Sequence, residues 1–142
     1  MTTAHDLLPA DVQAAADWRL GEAAWRRADL DRLAQAASEA AVACIGGQVQ
    51  LRLPGEMYEL YWTDYDPAPR REGEIWSVFA TRSWREMLFL VADLPTDAEL
   101  ARGARERFEE LAGHDVEGLR TALWCVVYLE MDPDGDAKRR GG

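Results

Sequence analysis

The chain reads as an α+β fold: an N-terminal long helix (or helix pair), a four-to-five-stranded, mainly antiparallel sheet, and a second helix before the last strand. Three observations predict it. The stretch from Ala10 to Ile45 is alanine-rich, free of proline and apolar at three- and four-residue steps. The middle of the chain alternates apolar with polar residues around a Pro-Gly pair. A capped amphipathic stretch after Thr96 then leads into a β-branched and aromatic segment at Thr121–Glu130.

In the first stretch, Leu30, Leu33, Ala37, Ala41 and Cys44 make one helical face, preceded by a stripe of Val12, Ala15 and Trp18. Gly21 offers a kink or a break into two helices, and the Gly46–Gly47 pair supplies the stop. Val49, Leu51 and Leu53 alternate with Gln48, Gln50 and Arg52, and Pro54–Gly55 turns the chain into a second strand, Glu56–Asp64. Tyr65–Gly73 is a loop. Glu74–Thr81 and Glu86–Ala92 read as a third and fourth strand around Arg82–Arg85, because Trp, Phe, Val and Leu favour the pleated surface. Thr96 and Glu99 form a capping box, and Leu100, Ala104, Phe108 and Leu111 line the helix they open, which should reach Ala112 ahead of Gly113. Thr121–Glu130 is the last strand, with Val116–Arg120 able to begin a helical turn. Residues 1–131 then form a single domain and residues 132–142 a flexible tail. The runs Met87–Leu90 and Leu123–Val126 are apolar at successive positions, which asks for cover on both sheet faces, from helices or from a partner chain.

With 142 residues, 48% of them hydrophobic, and six tryptophans, the chain can bury a core without disulfides or a structural metal. Its net charge of −10 is spread along the chain. Phosphate backbones and anionic membranes repel such a protein, so direct nucleic-acid or membrane binding is not expected, whereas a protein partner with a basic surface is steered toward it. Lys138 is the lone lysine among 16 basic residues, the bias of a GC-rich bacterial or phage genome. Met1–Leu8 has neither a basic nor an apolar region of a secretion signal, which points to the cytoplasm, with Cys44 and Cys125 reduced and buried. Self-association stays open.

No motif names a reaction. His5 and His114 are the only histidines, and CxxC and HExxH spacings are missing, so no metal is expected. Asp132-Pro133-Asp134-Gly135-Asp136 resembles the start of a calcium loop, but its glycine comes early and the final acid is missing. Cys125 sits between Trp124 and Val126, where burial makes a thiol inert, and His114 follows a helix end whose dipole explains it. Phosphate-binding glycine loops are also missing, and no cofactor is implied. The last residues, Lys138-Arg139-Arg140-Gly141-Gly142, resemble the diglycine tail of ubiquitin-like modifiers and sulfur carriers, which implies activation at that end; the element order departs from theirs.

The most unusual composition lies between Arg52 and Arg70, where four acids and four aromatics meet no base. On a strand, Tyr58, Leu60 and Trp62 share the core face and Glu59 and Tyr61 the other. The candidate partner-binding residues are Glu56, Glu59, Tyr61, Asp64, Tyr65 and Asp66, since acids steer and aromatics anchor at protein interfaces. The functional expectation is a non-enzymatic acidic protein-binding module, of the kind that inhibits a basic protein in immunity or anti-defence. A carrier activated at its diglycine and a small enzyme with an unrecognised site are the alternatives.

Overall fold

The N-terminal third holds a β-hairpin where the alanine pattern predicts a long helix or a helix pair broken at Gly21. In the computed structural model, which describes residues 1–134, a 3-10 turn at His5–Leu7 and the short α1 (Ala10–Ala14) lead into β1 (Asp17–Arg19) and β2 (Glu22–Trp25). Leu20 and Gly21 take φ of 50° and 79°, the two positive values of a tight hairpin turn, and Trp18 pairs with Ala23. Helix propensity separates alanine from its competitors by only tenths of a kcal/mol per residue, so burial overrides it. Here Ala23, Ala24 and Trp25 are all buried, and the Trp25 indole donates to Val12 O at 2.9 Å.

The helical period survives only in α2 (Leu30–Glu39), entered through a 3-10 turn at Arg27–Asp29. Its stop is also displaced. Ala41, at φ 56°, takes the left-handed position after the helix, and Val42 N–H closes back on Ala37 O at 2.8 Å. Two indoles hold the neighbouring carbonyls: Trp76 donates to Ala41 O at 2.6 Å and Trp84 to Val42 O at 2.7 Å. Gly46 and Gly47 therefore stop nothing; they lie inside β3 (Ala43–Leu53).

The Pro54–Gly55 hairpin forms as read, pairing β3 with β4 (Glu56–Glu59) from Leu53↔Glu56 to Gln50↔Glu59. The strand expected to run to Asp64 ends early, and the chain then follows the β3 edge through single bonds, Leu60 N–H to Val49 O and Tyr65 N–H to Gly47 O. The third and fourth strands are replaced by one 17-residue helix, α3 (Trp76–Ala92). Its buried residues Trp76, Phe79, Ala80, Ser83, Trp84, Met87 and Val91 recur at helical steps, and the expected turn at Arg82–Arg85 is the middle of it. Arg82 fixes the preceding loop there, bonding Glu74 and Glu86 at 2.8 Å and the carbonyls of Ala68 and Pro69 at 3.1 Å.

The capping box at Thr96 and Glu99 opens α4 (Asp97–Arg107), with both reciprocal bonds made. Phe108 turns extended, so Leu111 is buried from a 3-10 turn, Glu109–Leu111, and the helix stops short of Ala112. A short α5 (Val116–Arg120) precedes β5 (Leu123–Glu130).

The sheet is antiparallel with order β1-β2-β5-β3-β4. On one face Trp25, Val49, Leu51 and Cys125 pack in a single cluster with Leu33, Trp84, Leu100 and Leu119 from α2 to α5. The opposite face carries Gln48, Gln50, Arg52 and Tyr128 and is covered by the sheet's own curl: Arg19 of β1 reaches Leu53 O at 2.6 Å, and Arg52 of β3 reaches Asp17 Oδ2 at 2.9 Å. Among the described residues no helix is long and apolar enough to cross a membrane. The diglycine end, Lys138–Gly142, lies outside them.

Candidate protein-interaction site

β2 and β5 pair only through Ala24↔Val126 and Trp25↔Cys125. Toward Glu22 and Tyr128 they part, leaving a cleft of about 400 Å³ lined by His5, Trp18, Glu22, Ile45, Tyr128 and Leu129. Ile45 reaches it because the β3 ladder skips from Cys44 to Gly46, and the extra residue of such a bulge is turned out of the pairing. Trp18 and Ile45 stay about half exposed, at 51% and 48%, and Tyr128 at 40%. The His5 ring meets Trp18 edge-on with centroids 4.6 Å apart. Burial lowers the His5 pKa against the smaller opposite pull of Asp6, and its Nδ1 is buried without a hydrogen-bond partner.

Three carboxylates bear on Tyr128, and one of them, Glu22, also lines the cleft. The Tyr128 hydroxyl donates to Glu22 Oε2. That bond, then burial, then the fields of Glu22, Glu59 and Asp66 push its pKa up to about 12. Asp66 can sit there because Gly46, the register partner of Tyr128, has no Cβ to collide with its carboxylate, which also accepts from Gly47 N–H at 3.3 Å. Among the described residues, none of Glu22, Glu59 and Asp66 forms a salt bridge. Glu22 also accepts from Gln50 Nε2 at 3.5 Å, so the Tyr128 end of the cleft is acidic without a salt bridge, which suits a guanidinium or ammonium group.

Of the residues singled out by sequence, Glu59 and Asp66 both add to the negative field at the Tyr128 hydroxyl, and the other four are placed differently. Glu56 and Asp64 are exposed, Glu56 accepting from the Tyr58 hydroxyl at 3.4 Å. Tyr61, 63% exposed, packs edge-on against Trp62 near Phe108, a patch on which Arg107 stacks at 4.1 Å from the Trp62 ring. Tyr65 is fully buried, its hydroxyl directed at the carbonyls of Val126 (2.6 Å) and Gln48 (3.0 Å), so it supports β3 and β5 from inside and presents nothing to a partner. Trp18, Glu22, Ile45 and Tyr128 were not legible as site residues. A possible signal was the Leu20–Gly21 pair between Trp18 and Glu22, which marks a hairpin turn once the alanine pattern is discounted.

Cys44 and Cys125 are free and buried, and burial pushes both thiols up to about 12. Among the described residues no group of His, Cys, Asp or Glu side chains is placed to hold a metal ion. Comparison with known proteins finds no family model, no curated protein and no solved structure that matches this chain.

Proposed function

We propose that this chain is a non-enzymatic protein-binding module whose Tyr128 cleft receives a basic segment of a partner protein. By covering that basic surface it acts as an inhibitor of the immunity or anti-defence type. The observation that carries the reading is the cleft itself, where the half-exposed Trp18 and Ile45 stand beside Glu22, whose carboxylate holds the Tyr128 hydroxyl, and where Glu59 and Asp66 add to the negative field at that hydroxyl. Carboxylates accept charge-assisted hydrogen bonds, and the half-exposed Trp18 ring, which lines the same cleft as Glu22, offers a face to a cation. The net charge of −10 adds long-range attraction for a basic partner.

The test uses a partner captured from the native host, with binding rates measured against salt. Glu59→Lys should slow association and flatten its salt dependence, since steering acts before contact. Trp18→Ala should speed dissociation with association nearly unchanged, as loss of an anchor does. Asp64→Lys, an exposed acid outside the cluster, should change either rate by less than about two-fold. Unchanged rates in both Glu59→Lys and Trp18→Ala, with the fold intact by circular dichroism, would remove the cleft from the interface.

A further inference from the structure

The other end of β5 carries the opposite charge. A cavity of about 320 Å³ opens where the strand begins, against the β2–α2 junction, the start of α4 and the end of α5. In a chain with a net charge of −10, its rim gathers Arg26, Arg27 and Arg120. Its floor is apolar, made of Val49, Leu100 and Leu123 with the buried Cys125.

The three guanidinium groups are committed to different degrees. Arg27 is structural: Nη1 donates to Pro95 O at 2.8 Å, Nη2 to Val91 O at 2.9 Å, and Asp97 lies at 3.3 Å. Arg120 pairs with Glu117 through Nε and Nη2, which leaves Nη1 without a partner among the described residues. Arg26 makes no salt bridge among the described residues. Its Nη1 donates to Thr121 O at 2.7 Å and Leu123 O at 2.8 Å, and its guanidinium carbon lies 3.8 Å from the centroid of the Trp124 ring. No acceptor among the described residues takes its Nε–H or its Nη2. Arg26 is exposed, so water serves its free Nε and Nη2, and a fork already held in place by two carbonyls and the Trp124 ring loses little further freedom when it exchanges that water for an anion.

We propose that this cavity binds a small organic monocarboxylate with a short aliphatic body. The carboxylate is held by Nε and Nη2 of Arg26, with Nη1 of Arg120 at the rim, and the aliphatic chain lies on Leu100, Leu123 and Val49. A monoanion fits better than phosphate because Asp97 and Glu117 flank the arginines and repel a second negative charge. The apolar floor sets the second half of the ligand, since burying a methylene there is worth about 0.8 kcal/mol, close to a four-fold gain in affinity.

The experiment is a calorimetric titration of the full chain with sodium octanoate, sodium acetate and inorganic phosphate at one ionic strength. The Arg26 side-chain Nε–H resonance is followed in parallel by NMR. Octanoate should saturate one site, shift that resonance and bind at least about ten-fold more tightly than acetate or phosphate. Arg26→Gln should weaken octanoate about ten-fold or more, and Arg120→Gln about two- to three-fold. Failure of octanoate to saturate, equal affinity for acetate or phosphate, or an unmoved Arg26 resonance would overturn the proposal. So would unchanged octanoate affinity in Arg26→Gln. Should Arg26→Gln fail to fold, the wild-type resonance and Arg120→Gln, whose side chain hydrogen-bonds only Glu117 among the described residues, decide it.

Discussion

Gly47 sits where β3, β5 and the Tyr65 ring come closest, and a Cβ there would strike both Val126 O and the tyrosine. The backbone oxygen cannot rotate away, so Gly47→Ala should cost about 2–3 kcal/mol by overpacking or prevent folding, read from urea unfolding. Glu74 is a second residue whose surroundings decide its behaviour. The Arg82 guanidinium, and after it the Arg71 N–H, hold its carboxyl down at about 2 from the ordinary 4.5. A depressed folded pKa means that this stabilisation is complete above 4.5 and is lost as pH falls toward about 2. The urea midpoint of wild type should therefore drop across that window, and Glu74→Gln should drop less. The two cysteines, with thiols raised to about 12 by burial, should resist thiol reagents in the native protein at about pH 8 and react once it is unfolded. Rapid native labelling of either would show that its strand opens.

Among the elements, α4 was the most legible because its signal is local: Thr96 and Glu99 satisfy each other's free donors whatever the rest of the chain does. Thr96→Ala should cost about 1 kcal/mol, and a loss below about 0.3 kcal/mol in chemical denaturation would mean that the cap is not stabilising. α3 was misread for a tertiary reason. Met87, Leu88, Phe89 and Leu90 are apolar in succession, as in a buried strand, yet the helix buries Met87 and leaves Phe89 76% exposed. Phe89, with the exposed Ile75 and Val78, blurs the helical stripe that Trp76, Phe79, Ser83, Trp84 and Val91 would otherwise announce. The β1–β2 hairpin was hidden by the reverse effect. Alanine carries no strand preference, and only burial, with Ala24 paired to Val126 of β5, makes Ala23 and Ala24 strand residues.

Across the whole molecule, the curl of the sheet rests on Arg52, whose side chain is fully buried. It donates to Gln50 Oε1 at 3.1 Å, to the main chain and carboxylate of Asp17 at 2.8 and 2.9 Å, and to Glu22 O at 3.2 Å, tying β3 to both strands of the first hairpin. Asp17 keeps about a third of its side chain exposed, which limits the cost of losing its partner. Arg52→Met should therefore destabilise by about 2–3 kcal/mol, below the usual loss for a fully buried pair. It should also raise hydrogen exchange in β1 and β2 before the rest of the sheet; uniform exchange would show that the hairpin does not depend on this tie. The β2–β5 register sets Glu22 beside Tyr128, and β1 brings Trp18 to the same cleft, so the cleft exists only in the folded sheet. What the sequence determined by itself is what local chemistry can carry: the α+β class, the β3–β4 turn at Pro54–Gly55, the capping box of α4, a last strand read at Thr121–Glu130 and formed at Leu123–Glu130, and the acidic stretch holding Glu59 and Asp66. Tertiary structure decided the rest, because alanine and the aromatic residues are compatible with either period until burial selects one, and because Glu22 meets Tyr128, within the field of Glu59 and Asp66, only through β5 lying between β2 and β3.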